Sequence, residues 1–148
     1  LLLTKRPDLN ITSRYSPVAT FSMTPLYVAS KLGRTAIVKL LLDHGAAVNR
    51  EVHPHVSLPL HTAIRHGHVE IVKLLLGHGA DIAAKDYRLK HEAPLHIAAR
   101  AGNKEIVELL LQHNAPLDAT NQENDTALHV AVQEDNLEVI QLLLHQGA

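Results

Sequence analysis

Ala93-Pro94-Leu95-His96-Ile97-Ala98-Ala99-Arg100-Ala101-Gly102, followed by Asn103-Lys104-Glu105-Ile106-Val107-Glu108-Leu109-Leu110-Leu111-Gln112-His113-Asn114-Ala115, decides the fold. Pro94 suits a first helical position, because its missing N–H would be unpaired there anyway. Gly102 suits the left-handed conformation that stops a helix. Ile106 and Val107 then lead a second apolar stretch into Leu109-Leu110-Leu111. Two short helices joined by a tight turn follow from these signals.

The same unit recurs along the chain. Leu triplets stand at 40–42, 74–76, 109–111 and 142–144, with steps of 34, 35 and 33. Leu26, Leu60, Leu95 and Leu128 move by the same steps, as do Gly45, Gly79, Asn114 and Gly147. The openings are Thr24-Pro25-Leu26-Tyr27, Leu58-Pro59-Leu60-His61, Ala93-Pro94-Leu95-His96 and Thr126-Ala127-Leu128-His129. Thr24 and Thr126 can cap their helices; Leu58 and Ala93 cannot. The turn residues are Gly33, Gly67, Gly102 and Asp135. A helix pair of this length cannot bury its apolar faces alone, so neighbouring units must cover one another. The Leu triplets are apolar on nearly every side and need cover from several directions.

These residues resemble the ankyrin repeat, whose mark is Thr-Pro-Leu-His-x-Ala in a unit of about 33 residues. The likeness runs in register from Thr24 to Ala148, and residues 1–10 resemble the tail of one more unit. The departures are Tyr27, Leu58, Ala93, Asn114, Ala127 and Asp135. The resemblance implies an all-α solenoid of stacked antiparallel helix pairs with hairpin-like loops. The expected division is a partial repeat at 1–16 and repeats at about 17–49, 50–84, 85–118 and 119–148. The pattern is cut at both ends, and Leu142, Leu143 and Leu144 make no polar cap, so the chain is expected to be a fragment of a longer protein.

Composition narrows the function. Aromatic residues are only 3%, which suits thin layers of Leu, Ile, Val and Ala rather than a large globular core. The formal net charge of -1 gives no global reason to expect nucleic acid. With no cysteine, thiol catalysis and thiolate metal sites are excluded, and a reducing compartment is a natural fit. An intracellular, cytoplasmic setting is therefore expected. No apolar run is long enough to cross a bilayer, so membrane insertion is not expected. No phosphate loop, nucleophile elbow or His-Glu-x-x-His motif is present, so no enzyme activity, cofactor or small-molecule substrate is expected. Glu70, Glu105 and Glu138 repeat with the period and fit a solvated helix face. Of 12 histidines, the loop pair His53-x-His55 could bind Zn²⁺ or Cu²⁺ by its spacing, yet no third ligand adjoins it.

The ankyrin resemblance implies a non-catalytic module that binds a protein or peptide. It implies that the ends of the first helices and the loop tips line the binding face. By register these are Lys31 and Leu32, Arg65 and His66, Arg100 and Ala101, and Gln133 and Glu134. Side by side they form three basic rungs and one polar, acidic rung, which points to an acidic partner. Tyr87 and Arg88 join them at a loop tip, being residue types enriched in binding hot spots. The resemblance also implies that His61, His96 and His129 bond the local backbone and the neighbouring unit. The competing function is a structural spacer or regulatory segment attached to an enzyme or channel domain in the same parent chain. The segment 11–22, with Tyr15 and Phe21, holds roughly five extra residues, and loops are where such additions acquire roles.

Overall fold

The computed structural model describes residues 8–10, 13–14, 22–51 and 56–148. The added segment 11–22 falls mostly outside them, as do the His53/His55 pair and most of the partial unit at 1–10. Eight helices occur among the described residues: α1 (Pro25–Lys31), α2 (Thr35–Asp43), α3 (Pro59–Arg65), α4 (Val69–Gly77), α5 (Pro94–Ala101), α6 (Lys104–Gln112), α7 (Ala127–Gln133) and α8 (Leu137–His145). A two-residue antiparallel ladder, β1 (Ser13–Arg14) with β2 (Ser22–Met23), precedes them.

The helices form two rows. One is α1, α3, α5 and α7 packed in sequence; the other is α2, α4, α6 and α8. Each first helix also packs on the second helix of its own unit. The fold is therefore the expected all-α solenoid.

Local signals act as their chemistry requires. The Thr24 hydroxyl accepts the Tyr27 N–H at 3.2 Å. At Thr126 the backbone N–H donates to His129 Nδ1 at 3.2 Å, and the hydroxyl lies 2.9 Å from the same nitrogen. Helices α3 and α5 start on Pro59 and Pro94 without a side-chain cap. The turn residue Gly102 has φ +64°, and a Cβ there would lie 2.7 Å from Asn136 Oδ1. Asp135 reaches the same left-handed region, at φ 57°, where short polar side chains are the best tolerated after glycine.

Burial separates residues that look alike in sequence. Leu75, Leu110 and Leu143, the middle of three triplets, are fully buried. Leu40, which opens the first triplet, is 59% exposed, and Leu144, which closes the last, is 55% exposed. Their counterparts in the inner units, Leu74, Leu76, Leu109 and Leu111, are buried or half-buried. Among the described residues, a triplet is therefore covered on both sides only where a helix pair stands on both flanks. The core is one continuous cluster that runs from Leu26 through Ile64, Leu75, Ile106 and Leu110 to Leu143. Each fully buried Leu or Ile contributes roughly 1.5–3 kcal/mol relative to an exposed one.

Candidate partner-binding surface

The row α1, α3, α5, α7 brings its C-terminal ends side by side, so the ladder residues share one edge of the stack. Lys31 ends α1 and is exposed, with no ion pair among the described residues. Leu32 next to it is 58% exposed. His66 is exposed; its Nδ1 lies 2.8 Å from the Thr62 carbonyl, and its ring stacks on His68. Ala101 closes α5 and is exposed. Gln133 ends α7 and donates to Asp125 Oδ2 at 2.9 Å.

The two arginines are a different matter. Arg65 Nη2 donates to Asp86 Oδ2 at 2.9 Å, and Asp86 is 3% exposed. The Ser57 hydroxyl donates to the same carboxylate oxygen at 2.5 Å. Arg100 donates through Nε and Nη2 to Glu92 Oε1 at 3.2 and 2.6 Å, and Glu92 is 1% exposed. Arg100 Nη1 also pairs with Glu134, on the next unit. Two of the three basic rungs thus carry their own counter-charges, and the ladder is less basic than its sequence suggests. Lys31 is the rung left without one among the described residues.

Burial pushes the Asp86 carboxyl toward a higher pKa. The Ser57 hydroxyl and the Arg88 N–H outweigh it, with help from the charges of His61 and Arg65, and the net shift is downward. The Glu92 carboxylate, hydrogen-bonded to Arg100, holds that guanidinium more firmly charged than usual.

Asp86 and Glu92 also set the loop between them. The Asp86 N–H donates to the Glu92 carbonyl at 2.7 Å, and the Arg88 N–H to Asp86 Oδ1 at 3.0 Å. Lys90 and His91 both take positive φ, 50° and 58°, to turn the tip. Conformations of this kind persist when their surroundings fix them. Here the base is clamped to α3 by Arg65 and to α5 by Arg100. Tyr87 is 60% exposed at this tip, with His91 packed edge-on at 4.9 Å between ring centres. Arg88 is exposed as well and has no ion pair among the described residues. The Gln122 N–H donates to the Lys90 carbonyl, and Lys90 pairs with Glu123, so this loop leans on the next one.

Sequence reasoning missed Ser57, Asp86, Glu92 and Asp125 as part of this edge. A signal for three of them was present. Ser57–Arg65, Glu92–Arg100 and Asp125–Gln133 are each eight residues apart, and each pair touches, at 3.5, 2.6 and 2.9 Å. Asp86 has no such periodic mark.

His61 and His96 are each 1% exposed. Their Nε2 atoms lie 2.8 Å from the Ala84 carbonyl, at the boundary of the same unit, and 3.0 Å from the Asp125 carbonyl, in the next unit. His129 instead bonds the local backbone at Thr126. Burial pushes the His61 and His96 pKa values down, against the opposing hydrogen bonds to Ala84 and Asp125. The unfolded chain then binds more protons than the folded one below about pH 6.5, the ordinary histidine value. The stability that these two neutral rings contribute is complete above that pH and is lost as pH falls through it. The melting temperature is expected to be lower at pH 5.5 than at pH 7.5. Equal values at the two pH points would overturn this reading.

No helix among the described residues is long and apolar enough to cross a membrane. No curated protein matches the chain. A family model described as ankyrin repeats (3 copies) matches residues 1–86 and again 87–148. With the helix pairs, the Pro-Leu-His openings and the histidine bonds to backbone in place, that match spans the whole chain, and the chain belongs to the ankyrin-repeat family.

Proposed function

We propose that this chain is a non-catalytic module that binds a partner protein or peptide along the first-helix edge and the 86–92 loop tip. Ankyrin repeats are generally protein–protein interaction modules, and the family is typically non-catalytic. The observation that carries the reading to this edge is the row itself. Packing of α1, α3, α5 and α7 sets Lys31, Leu32, His66, Ala101 and Gln133 in one line, with Tyr87 and Arg88 standing on a clamped loop beside them. A prepositioned loop loses little conformational freedom on binding, which favours affinity. The absence of cysteine supports an intracellular, cytoplasmic setting for the encounter.

Reversing the charge of Arg65 or Arg100 is a poor test, because each reversal would strand a buried carboxylate. Lys31→Glu with Arg88→Glu avoids this. A photocrosslinking residue at position 32 or 87 is expected to capture a defined partner from a native extract, and the double reversal is expected to weaken that capture. The same probe at Lys39 or Gln141, on the second-helix row, is expected to leave the partner uncaptured. Capture from that row alone would move the binding face. No specific capture from either row would favour the spacer reading.

A further inference from the structure

The Arg100 rung contains a carboxylate that the Arg65 rung lacks. Both arginines occupy the same register position, and both are held from below by a buried loop acid, Asp86 for Arg65 and Glu92 for Arg100. Arg100 Nη1 is then taken by Glu134, an exposed residue one register position further along the neighbouring unit. The residue in the equivalent position beside Arg65 is Ala101, which has no acceptor. The Arg65 guanidinium accordingly keeps one outer nitrogen unengaged. Nη1 has no hydrogen bond among the described residues, and Nε is buried without a partner. On the other side of this rung stands Lys31, exposed and without an ion pair among the described residues.

We infer that the gap above Ala101 is a carboxylate-binding position, and that an Asp or Glu side chain of the partner protein occupies it as Glu134 occupies Arg100. The inference rests on the partner-binding reading above and names the chemistry of the contact. Charge and shape support the same occupant. Planar guanidinium edges match carboxylates. Ala101 is exposed and brings no side-chain acceptor of its own. Asp86 and Glu92 are buried, and no exposed acid stands at the helix ends between Lys31 and Glu134, so the positive end of the edge lies at the first two rungs. Glu134 completes its own rung from within and leaves no equivalent opening at Arg100. A partner acid is thereby directed to one arginine of two.

The test uses the arginine Nε–Hε resonances of the labelled chain, titrated with the capped peptide Ac-Glu-Ala-Glu-Ala-Glu-NH2 and with its Gln counterpart. The acidic peptide is expected to shift the Arg65 signal saturably and to leave Arg100 in place; the Gln peptide is expected to do neither. Ala101→Glu supplies the missing acid internally and is expected to weaken binding about fivefold or more, the scale of a half-exposed ion pair. Ala101 is an exposed helical residue, so this variant is expected to keep its melting temperature. Glu134→Ala is expected to let Arg100 respond as a second site. A silent Arg65 signal, or unchanged affinity in Ala101→Glu, overturns the inference. Peptide binding that moves only the Lys31 and Arg88 region also overturns it, while leaving the interaction-module reading intact.

Discussion

Replacing Leu75 by Ala is expected to destabilise the stack by about 2–5 kcal/mol, as large an effect as any single aliphatic truncation in this core should produce. Leu75 is completely buried in α4, which packs against α2, α3 and α6. Truncation removes the transfer free energy of the side chain and leaves a cavity that flanking helices can only partly close. Leu144→Ala provides the contrast. Leu144 is 55% exposed, and its truncation is expected to fall within about 0.5 kcal/mol of no change. Denaturant unfolding of both variants measures the difference. Equal losses at the two positions would mean that the stack does not bury its triplets as described.

Arg100→Ala is expected to cost about 2–3 kcal/mol, despite an arginine side chain that is 36% exposed. The effect arises on the other partner. Glu92 is 1% exposed, and Arg100 supplies two of its hydrogen bonds. Removing one member of a buried pair leaves a charge without compensation, which in full burial costs about 3–5 kcal/mol. Water reaching the space vacated by the half-exposed arginine reduces that figure. The double variant Arg100→Ala/Glu92→Ala is expected to recover a good part of the loss, since no buried charge remains. A double-mutant cycle therefore separates the pair from ordinary packing. Strictly additive losses would show that Glu92 does not depend on Arg100.

The fold was legible because its determinants are local or periodic. Pro at helix starts, Gly or Asp at turns and the Leu triplets each act within one unit, and repetition at 33–35 residues marks where each recurs. The resemblance also anticipated the backbone bonds of His61 and His96, the latter to the next unit. Position within the stack was not legible. Leu76 and Leu144 both close a triplet, yet only Leu76 is buried, because α4 has α6 beyond it and α8 ends the row. The charge of the edge was also hidden. Lys31, Arg65 and Arg100 read as three equivalent cations. Their difference lies in Asp86 and Glu92, whose burial is a tertiary fact, and in Glu134, which reaches across a unit boundary. The eight-residue spacing of Glu92 to Arg100 was visible, but its meaning required the loop to fold back over the helix end.

The ion pairs of this edge bear on how such a chain can be rearranged. Asp86 lies at the start of one unit and finds its base, Arg65, in the unit before; Arg100 finds Glu134 in the unit after. Deleting the unit at 85–118 would take Asp86 from Arg65 and Arg100 from Glu134. A copy of that unit grafted beside a neighbour without a base at the Arg65 position would bury the Asp86 carboxylate unpaired. The heritable module in the middle of this chain is therefore longer than one repeat. It extends from Ser57 to Glu134, and recombination within that span must keep both sides of each pair together.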